Sequence, residues 1–317
     1  MTGSPQTTRR TFLQSTAVAS AATLAAQDLM ADSNKDANWI DAHSHIWSRD
    51  IKKFPLAKGQ TLKDLDPPSF NAKELFATCR PEGVQRVVLI QHSIYHYFDN
   101  SYLVDAAKRY PKAFRVVGMV DDHKPHPDVE MKKLHKQHVT GFRITPFVRR
   151  GKDADNWLDT DGMSVMWKEA GKSGQAMCCL IDAKHLKGVN QMCKKFPDTK
   201  VVIDHFARIG VDGKIRDVDL KALTSLAKFK NTYLKISAYY ALGKKKPPYL
   251  DLIPMIKHCV DAFGVERCMW ASDSPYQVVK GHTYKDSIAL VRDRMKLSKG
   301  DKEWLLRKTA EKVYYYK

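Results

Sequence analysis

Nowhere in its 317 residues does the chain hold an uninterrupted apolar run of roughly 18 positions, the length a helix needs to cross a bilayer. That leaves no stable membrane span to expect. Cysteine is sparse and unordered. Cys79, Cys178, Cys179, Cys193, Cys259 and Cys268 form no CxxC pair and no Cys/His zinc spacing, which excludes a zinc ribbon, a dithiol redox motif and a disulfide framework. Most lie in apolar stretches and read as small buried hydrophobes. No G-x-G-x-x-G follows a strand-like segment, which argues against a dinucleotide fold. Acid is short relative to base, with 35 Asp+Glu against 53 Lys+Arg and a net charge of +18. Such an excess attracts anionic partners in general. Yet the lysines are dispersed, as at Lys132–Lys133, Lys194–Lys195 and Lys244–Lys246, and no RNP-like motif, helix-turn-helix signal or aromatic-laced basic arm accompanies them. They read as a solvated face, and nucleic acid is not expected as a partner.

What is present suits a folded enzyme-sized domain. The chain is 43% hydrophobic, outside the disordered and collagenous classes. Residues 7–26 carry Arg9 and Arg10, then Phe12 and Leu13, then a mild Ala/Ser/Thr/Val/Leu run. This resembles a twin-arginine export signal. Residues 1–34 therefore read as signal and linker, residues 35–317 as one domain, and the periplasm or secretion as the expected destination.

From residue 38 onward, eight β-rich runs alternate with segments of helical spacing. The runs are Trp39–His43, Arg86–Gln91, Arg115–Val120, Val139–Ile144, Ala176–Ile181, Lys200–Ile203, Thr232–Ile236 and Cys268–Ala271. Most are continuously apolar, as strands covered on both faces must be. Eight such alternations predict an α/β fold, a (β/α)8 TIM barrel in a single domain. Residues 50–70, with Pro67–Pro68, read as a long loop after the first strand.

Reacting groups in such a barrel sit at the C-terminal ends of the strands. The first strand ends Asp41-Ala42-His43-Ser44-His45. Alternation predicts that Asp41, His43 and His45 project together, the two imidazoles ~6.6 Å apart along the strand. The sixth delivers His205 and the eighth delivers Asp273 just before Pro275. Because a barrel closes on itself, strands 1, 6 and 8 can surround one pocket. Three imidazoles and a carboxylate suit one divalent metal, Zn or Mn, or a polar pocket without metal. Arg143, ending the fourth run, suits a fork on a substrate carboxylate. Gln91 and Ser93 beyond strand 2, Arg208 beyond strand 6 and Tyr239 beyond strand 7 are the other candidate substrate contacts. Tyr240 packs over a ring or covers the barrel top, Ser237 reads as interior packing, and Asp41 as an orienter of a histidine. His92 and His96 stand in an aromatic loop within reach of a substrate, whereas His123, His126, His135, His138, His258 and His282 have no strand end to present them.

The segments DAHSHIW (41–47), GFRI (141–144), VVIDHFAR (201–208), NTYLKIS (231–237) and WASDSPY (270–276) together resemble the amidohydrolase superfamily, in its amidohydrolase-related lactonase branch. That branch includes 2-pyrone-4,6-dicarboxylate lactonase and sugar-acid lactonases, and the resemblance covers about residues 38–316. It implies that His43, His45, His205 and Asp273 form the reactive centre. Binuclear members carry a carboxylated lysine on strand 4 and a histidine on strand 5. Here those places hold Arg143 and Asp182, with His185 three residues on, so at most one metal is implied and a metal-free centre is allowed. The branch's SDWP appears as Asp273-Ser274-Pro275 and loses an aromatic wall. The implied reaction is hydrolysis of a lactone or related amide or ester, with Asp273 taking a proton from water. Without a metal, the three histidines would stabilise the developing oxyanion as hydrogen-bond donors. The expected partner is a small molecule, a carboxylated lactone among the candidates, and homo-oligomerisation is left open. The alternatives are a non-oxidative decarboxylase of an unsaturated or aromatic carboxylate and a non-catalytic basic barrel binding at the envelope.

Overall fold

Short β-branched and apolar runs bounded by Gly and Pro have one way to hide both faces, which is to pair in parallel and be wrapped by the helices between them. The computed structural model describes residues 37–148 and 156–316, and the twin-arginine segment lies outside them. The strands are β1 (Trp39–Ser44), β2 (Val84–Ile90), β3 (Phe114–Gly118), β4 (Val139–Ile144), β5 (Ala176–Cys179), β6 (Lys200–Ile203), β7 (Thr232–Ile236) and β8 (Cys268–Trp270). They pair in sequence order, all parallel. A parallel bridge from Ser44 to Ser274 shuts the ring, with His45 N donating to the Ser274 carbonyl at 2.7 Å and Asp273 N to the His43 carbonyl at 2.8 Å. The eight-stranded barrel predicted from the alternation is present.

The surrounding helices are α1 (Ala72–Cys79), α2 (Ser101–Arg109), α3 (Pro127–His135), α4 (Asp161–Ser173), α5 (Leu186–Lys195), α6 (Asp217–Thr224), α7 (Ile253–Phe263) and α8 (Tyr284–Ala289). Two short C-terminal helices follow, α9 (Lys299–Glu303) and α10 (Thr309–Tyr314). Local chemistry sets several starts. Asn71 and Glu74 form a reciprocal capping box on α1, and the Thr160 hydroxyl accepts from Met163 N on α4. The larger apolar layer lies between barrel and helices, where Trp167, Phe114, Leu223 and Trp270 are fully buried. A smaller cluster fills the barrel itself, with Ile40, Val88, Val117, Cys178, Val202 and Met269 around the axis. Tyr314 of α10 joins it, and its hydroxyl lies 3.3 Å from Cys178 Sγ. All six cysteines are buried and free. Among the described residues no helix is long and apolar enough to cross a membrane.

Candidate active site

The first strand does not keep the alternation expected of it. Its pairing with β2 slips by one residue between Asp41 and Ser44, a β-bulge. Asp41 therefore turns outward, away from the histidines. Its carboxylate accepts from Ser272 N (2.9 Å), the Ser272 hydroxyl, Tyr284 Oη of α8 (2.9 Å) and His43 N (3.0 Å). It orients no imidazole. Instead it clasps β1 to the end of β8, and burial raises its pKa to about 6 even though its donors pull it down.

Past the bulge, His43 and His45 both point inward, and the rim of the barrel adds the other two groups. Asp273 sits just after β8 at φ 64° and His205 just after β6 at φ 52°. A residue in this left-handed region costs roughly 1–2 kcal/mol unless it is Gly, and His205 through Arg208 all adopt it. Such strain persists only where the surroundings over-determine it. The result is close convergence. Asp273 Oδ1 lies 3.4 Å from His43 Nε2 and 3.4 Å from His45 Nε2, which are themselves 3.4 Å apart. His205 Nε2 lies 3.8 Å from Asp273 Oδ2. The groups separated along the sequence thus share one small space.

The inward nitrogens of His43 and His45 face that space as lone pairs. His45 Nδ1 must donate to the Ile90 carbonyl at 2.8 Å, because a carbonyl only accepts, and this leaves Nε2 unprotonated. His43 Nε2 accepts from Arg143 Nη2 at 2.8 Å, while its Nδ1 lies 3.3 Å from Lys235 Nζ and 3.6 Å from Asp204. His205 Nδ1 pairs with the Ser237 hydroxyl at 2.7 Å, which gives Ser237 an orienting role beyond interior packing. Burial lowers all three imidazole pKa values, His45 to about 3, so the rings are neutral near pH 7. Toward the shared space His43 and His45 turn Nε2 as an acceptor. Asp273 moves the other way. Burial raises its pKa, and a hydrogen bond from Tyr240 Oη to Oδ2 at 2.7 Å offsets only part of that.

Beneath the centre lies a charged floor that the sequence reading did not single out. Asp204 Oδ1 is 3.0 Å from Lys235 Nζ and Oδ2 is 3.5 Å from Arg143 Nη2, with the carboxylate and the ammonium fully buried and the guanidinium nearly so. The signal was available, since Asp204 and Lys235 are charged residues inside or directly after apolar strands, where unpaired charge is rarely tolerated.

A cleft of about 200 Å³ opens over the centre, lined by His45, His205, Asp273, Arg143, Tyr240 and Tyr276 among others. Ser93 and Arg208 line it as expected. Arg208 is tied to Asp182 at 3.1 Å and stacked over Phe147, while His185 faces Phe147 and Trp157. Gln91 and Tyr239 do not line the cleft. The Gln91 amide donates to the Tyr97 and Asp99 carbonyls and pins the loop after β2. Tyr239 is fully buried, with its hydroxyl on the Ile236 carbonyl, and the neighbouring Tyr240 takes the cleft position. His92 lines the cleft, whereas His96 Nδ1 is bonded to the Pro55 carbonyl. Arg143 also lines a second cavity beside the cleft, with Asp122, His123 and Thr145.

The family model described as Amidohydrolase matches residues 40–315. The chain belongs to the amidohydrolase family. Lactone hydrolases, as expected from the motifs, are among its curated relatives. L-fucono-1,5-lactonase of Burkholderia ambifaria is 28% identical over 77% of this chain and 82% of its own length. 4-Sulfomuconolactone hydrolase of Rhizobium radiobacter is 24% identical over 74% of this chain and 75% of its own. Among solved structures, a zinc-bound amidohydrolase from Burkholderia multivorans superposes with a TM-score of 0.73 at 19% identity, over 89% of this chain and all of the other. The protein is thus a hydrolase of the lactonase type, built on a barrel whose His/Asp cluster is able to hold a metal.

Proposed function

We propose that this amidohydrolase is exported and opens a lactone by attack of water on the ring carbonyl, with Asp273 as the base. The observation that carries this reading is the geometry at Asp273. One carboxylate oxygen faces His43 and His45 at 3.4 Å, and the other is held by Tyr240 at 2.7 Å. A carboxylate so desolvated is a stronger base than one in water. It takes a proton from water as the oxygen bonds to the carbonyl carbon. The tetrahedral adduct then expels the ring oxygen, which receives that proton, leaving a hydroxy acid. Arg143 supports substrate binding, since it is buried and its Nε has no acceptor among the described residues, a position suited to an anionic substituent on the lactone.

The residues present also fit a divalent cation, Zn or Mn. His43 Nε2, His45 Nε2 and Asp273 Oδ1 form a triangle of 3.4 Å edges. That is about the ligand–ligand edge of a tetrahedral site with ~2.1 Å bonds. A positive charge between or beside three such acceptors is favourable, and the Arg143 guanidinium already stands on the His43 lone pair. When bound, a cation would supply Lewis-acid polarisation of the carbonyl.

The test uses the purified full chain with L-fucono-1,5-lactone, 4-sulfomuconolactone and a panel of carboxylated lactones, following acid release. Ring opening that falls by about 10³-fold or more in Asp273→Asn supports the reading. Release of CO2 from unsaturated or aromatic carboxylates, with no lactone opened, would favour the decarboxylase instead. Near one equivalent of Zn or Mn by mass spectrometry, with activity lost on chelation and restored on reloading, supports the metal route; full activity without metal removes it.

A further inference from the structure

Hydrolysis of a lactone builds negative charge on the carbonyl oxygen, which a hydrogen-bond donor of the protein stabilises with or without a cation beside it. The two histidines on β1 do not, because their inward nitrogens carry lone pairs. Tyr240 has a hydrogen, but it is used on Asp273. Besides that of Ser93, another hydroxyl lines the cleft, that of Tyr276, three residues beyond Asp273, whose ring packs against His45 of the centre.

The direction of its hydrogen follows from a chain of bonds. The Tyr95 backbone N–H donates to His92 Nδ1 at 3.0 Å. A neutral imidazole that accepts at Nδ1 carries its proton on Nε2. That Nε2–H lies 2.6 Å from Tyr276 Oη and can only donate to it. The phenol oxygen therefore accepts from His92, and among the described residues no hydrogen bond takes up its own hydrogen. The Tyr276 ring stands edge-on to His45, with centroids 6.0 Å apart, and is tilted against Trp47, so the phenol is held in place from two sides. Burial also pushes the Tyr276 pKa up, which keeps the hydroxyl protonated where the enzyme works.

Resting on the hydrolase reading above, we propose that Tyr276 is a catalytic hydrogen-bond donor to the carbonyl oxygen of the lactone, and that His92 is its positioning residue. During attack the water oxygen bonds to the carbonyl carbon, the C=O π pair moves onto oxygen, and the water proton goes to Asp273. Tyr276 keeps its proton and stabilises the charged oxygen through its hydrogen bond. The arrangement is pre-organised because the His92 bond, fixed by a backbone amide, leaves the phenol hydrogen one productive direction.

The experiment is steady-state kinetics of the full chain on whichever panel lactone it opens fastest. Loss of one oxyanion donor costs about 10²–10³-fold in kcat, so Tyr276→Phe should fall by that factor with KM little changed. His92→Phe should lose part of the same factor, and His92→Gln, whose amide both accepts and donates, should recover some of it. A purely structural role would not produce that kcat-selective loss or the rescue. A Tyr276→Phe protein that melts like the parent and keeps kcat within roughly threefold overturns the donor assignment while leaving the hydrolase reading intact. A parent that opens no lactone ends both. Should Tyr276→Phe fail to fold, ¹⁵N NMR of histidine-labelled parent decides: Nδ1 unprotonated and Nε2 protonated at His92 support the assignment, and the reverse tautomer overturns it.

Discussion

Replacing Asp204 by Asn tests the charged floor on which the site rests. The carboxylate lies 3.0 Å from the Lys235 ammonium and 3.5 Å from the Arg143 guanidinium in a region closed to water. Asn preserves the shape and removes the charge, so two buried cations lose their counter-ion. Taking one partner out of such a group costs about 3–5 kcal/mol, because the charge left behind is uncompensated. At roughly 2–4 °C per kcal/mol for a large domain, the melting temperature should drop by about 6–20 °C at neutral pH. The pH dependence gives a second handle. Burial alone would raise the Asp204 pKa, but Lys235, His43 and Arg143 outweigh it and hold the group well below the usual carboxylate range. A depressed folded-state pKa gives stability that is fully present above the unfolded value of about 3.9 and lost as pH falls through the folded one. The gap between parent and Asp204→Asn should therefore be constant above about pH 5 and narrow below about pH 4. Circular-dichroism melts from neutral pH downward measure it. A variant within about 1 kcal/mol of the parent at pH 7, or a gap that does not close toward acid, refutes the reasoning.

Lys235→Met removes a cation but leaves Asp204 its contact with Arg143, so urea unfolding should show a loss at least about 1 kcal/mol smaller than that of Asp204→Asn. Gly162→Ala in α4 should destabilise, although Ala is intrinsically about 1 kcal/mol better in a helix. The added Cβ would stand 1.8 Å from the Asp122 carbonyl oxygen, and an unchanged or raised melting temperature would contradict the packing. The kcat/KM profile on a lactone should show an acid limb displaced upward from the ordinary aspartate value, since burial raises the Asp273 pKa and the base works only when ionised. Tyr240→Phe removes a hydrogen bond that favours the ionised carboxylate, so that limb should move to still higher pH; a shift downward would argue against Asp273 as the base.

The barrel was legible because its signal is repeated eight times, and an error in one strand end does not alter the count. Observed strands differ from the expected spans by a residue or two at their ends, as at β2 and β8. The early helix α1 escaped notice because one short amphipathic segment beside a Pro-rich loop carries little periodicity. At the site, the residue types were readable from motif and position, but directions were not. A single-residue slip in β1 reversed Asp41, which strict alternation had placed with the histidines. The choice between Tyr239 and Tyr240 turned on one left-handed residue, Ala238 at φ 59°, which no local pattern announces. Tautomers were beyond reach for the same reason, because the partners that set them, Ile90 for His45 and Arg143 for His43, lie 45 and 100 positions away.

The ring is fastened between residues 230 positions apart, and the two imidazoles of the first strand stand on one lip of that seam while the carboxylate stands on the other. Activity and topological completion are therefore a single event. A chain caught part-way through synthesis has most of its wall and both early imidazoles but not the carboxylate that meets them. A nick or mutation that parts the seam disarms the enzyme before it unravels the remaining strands.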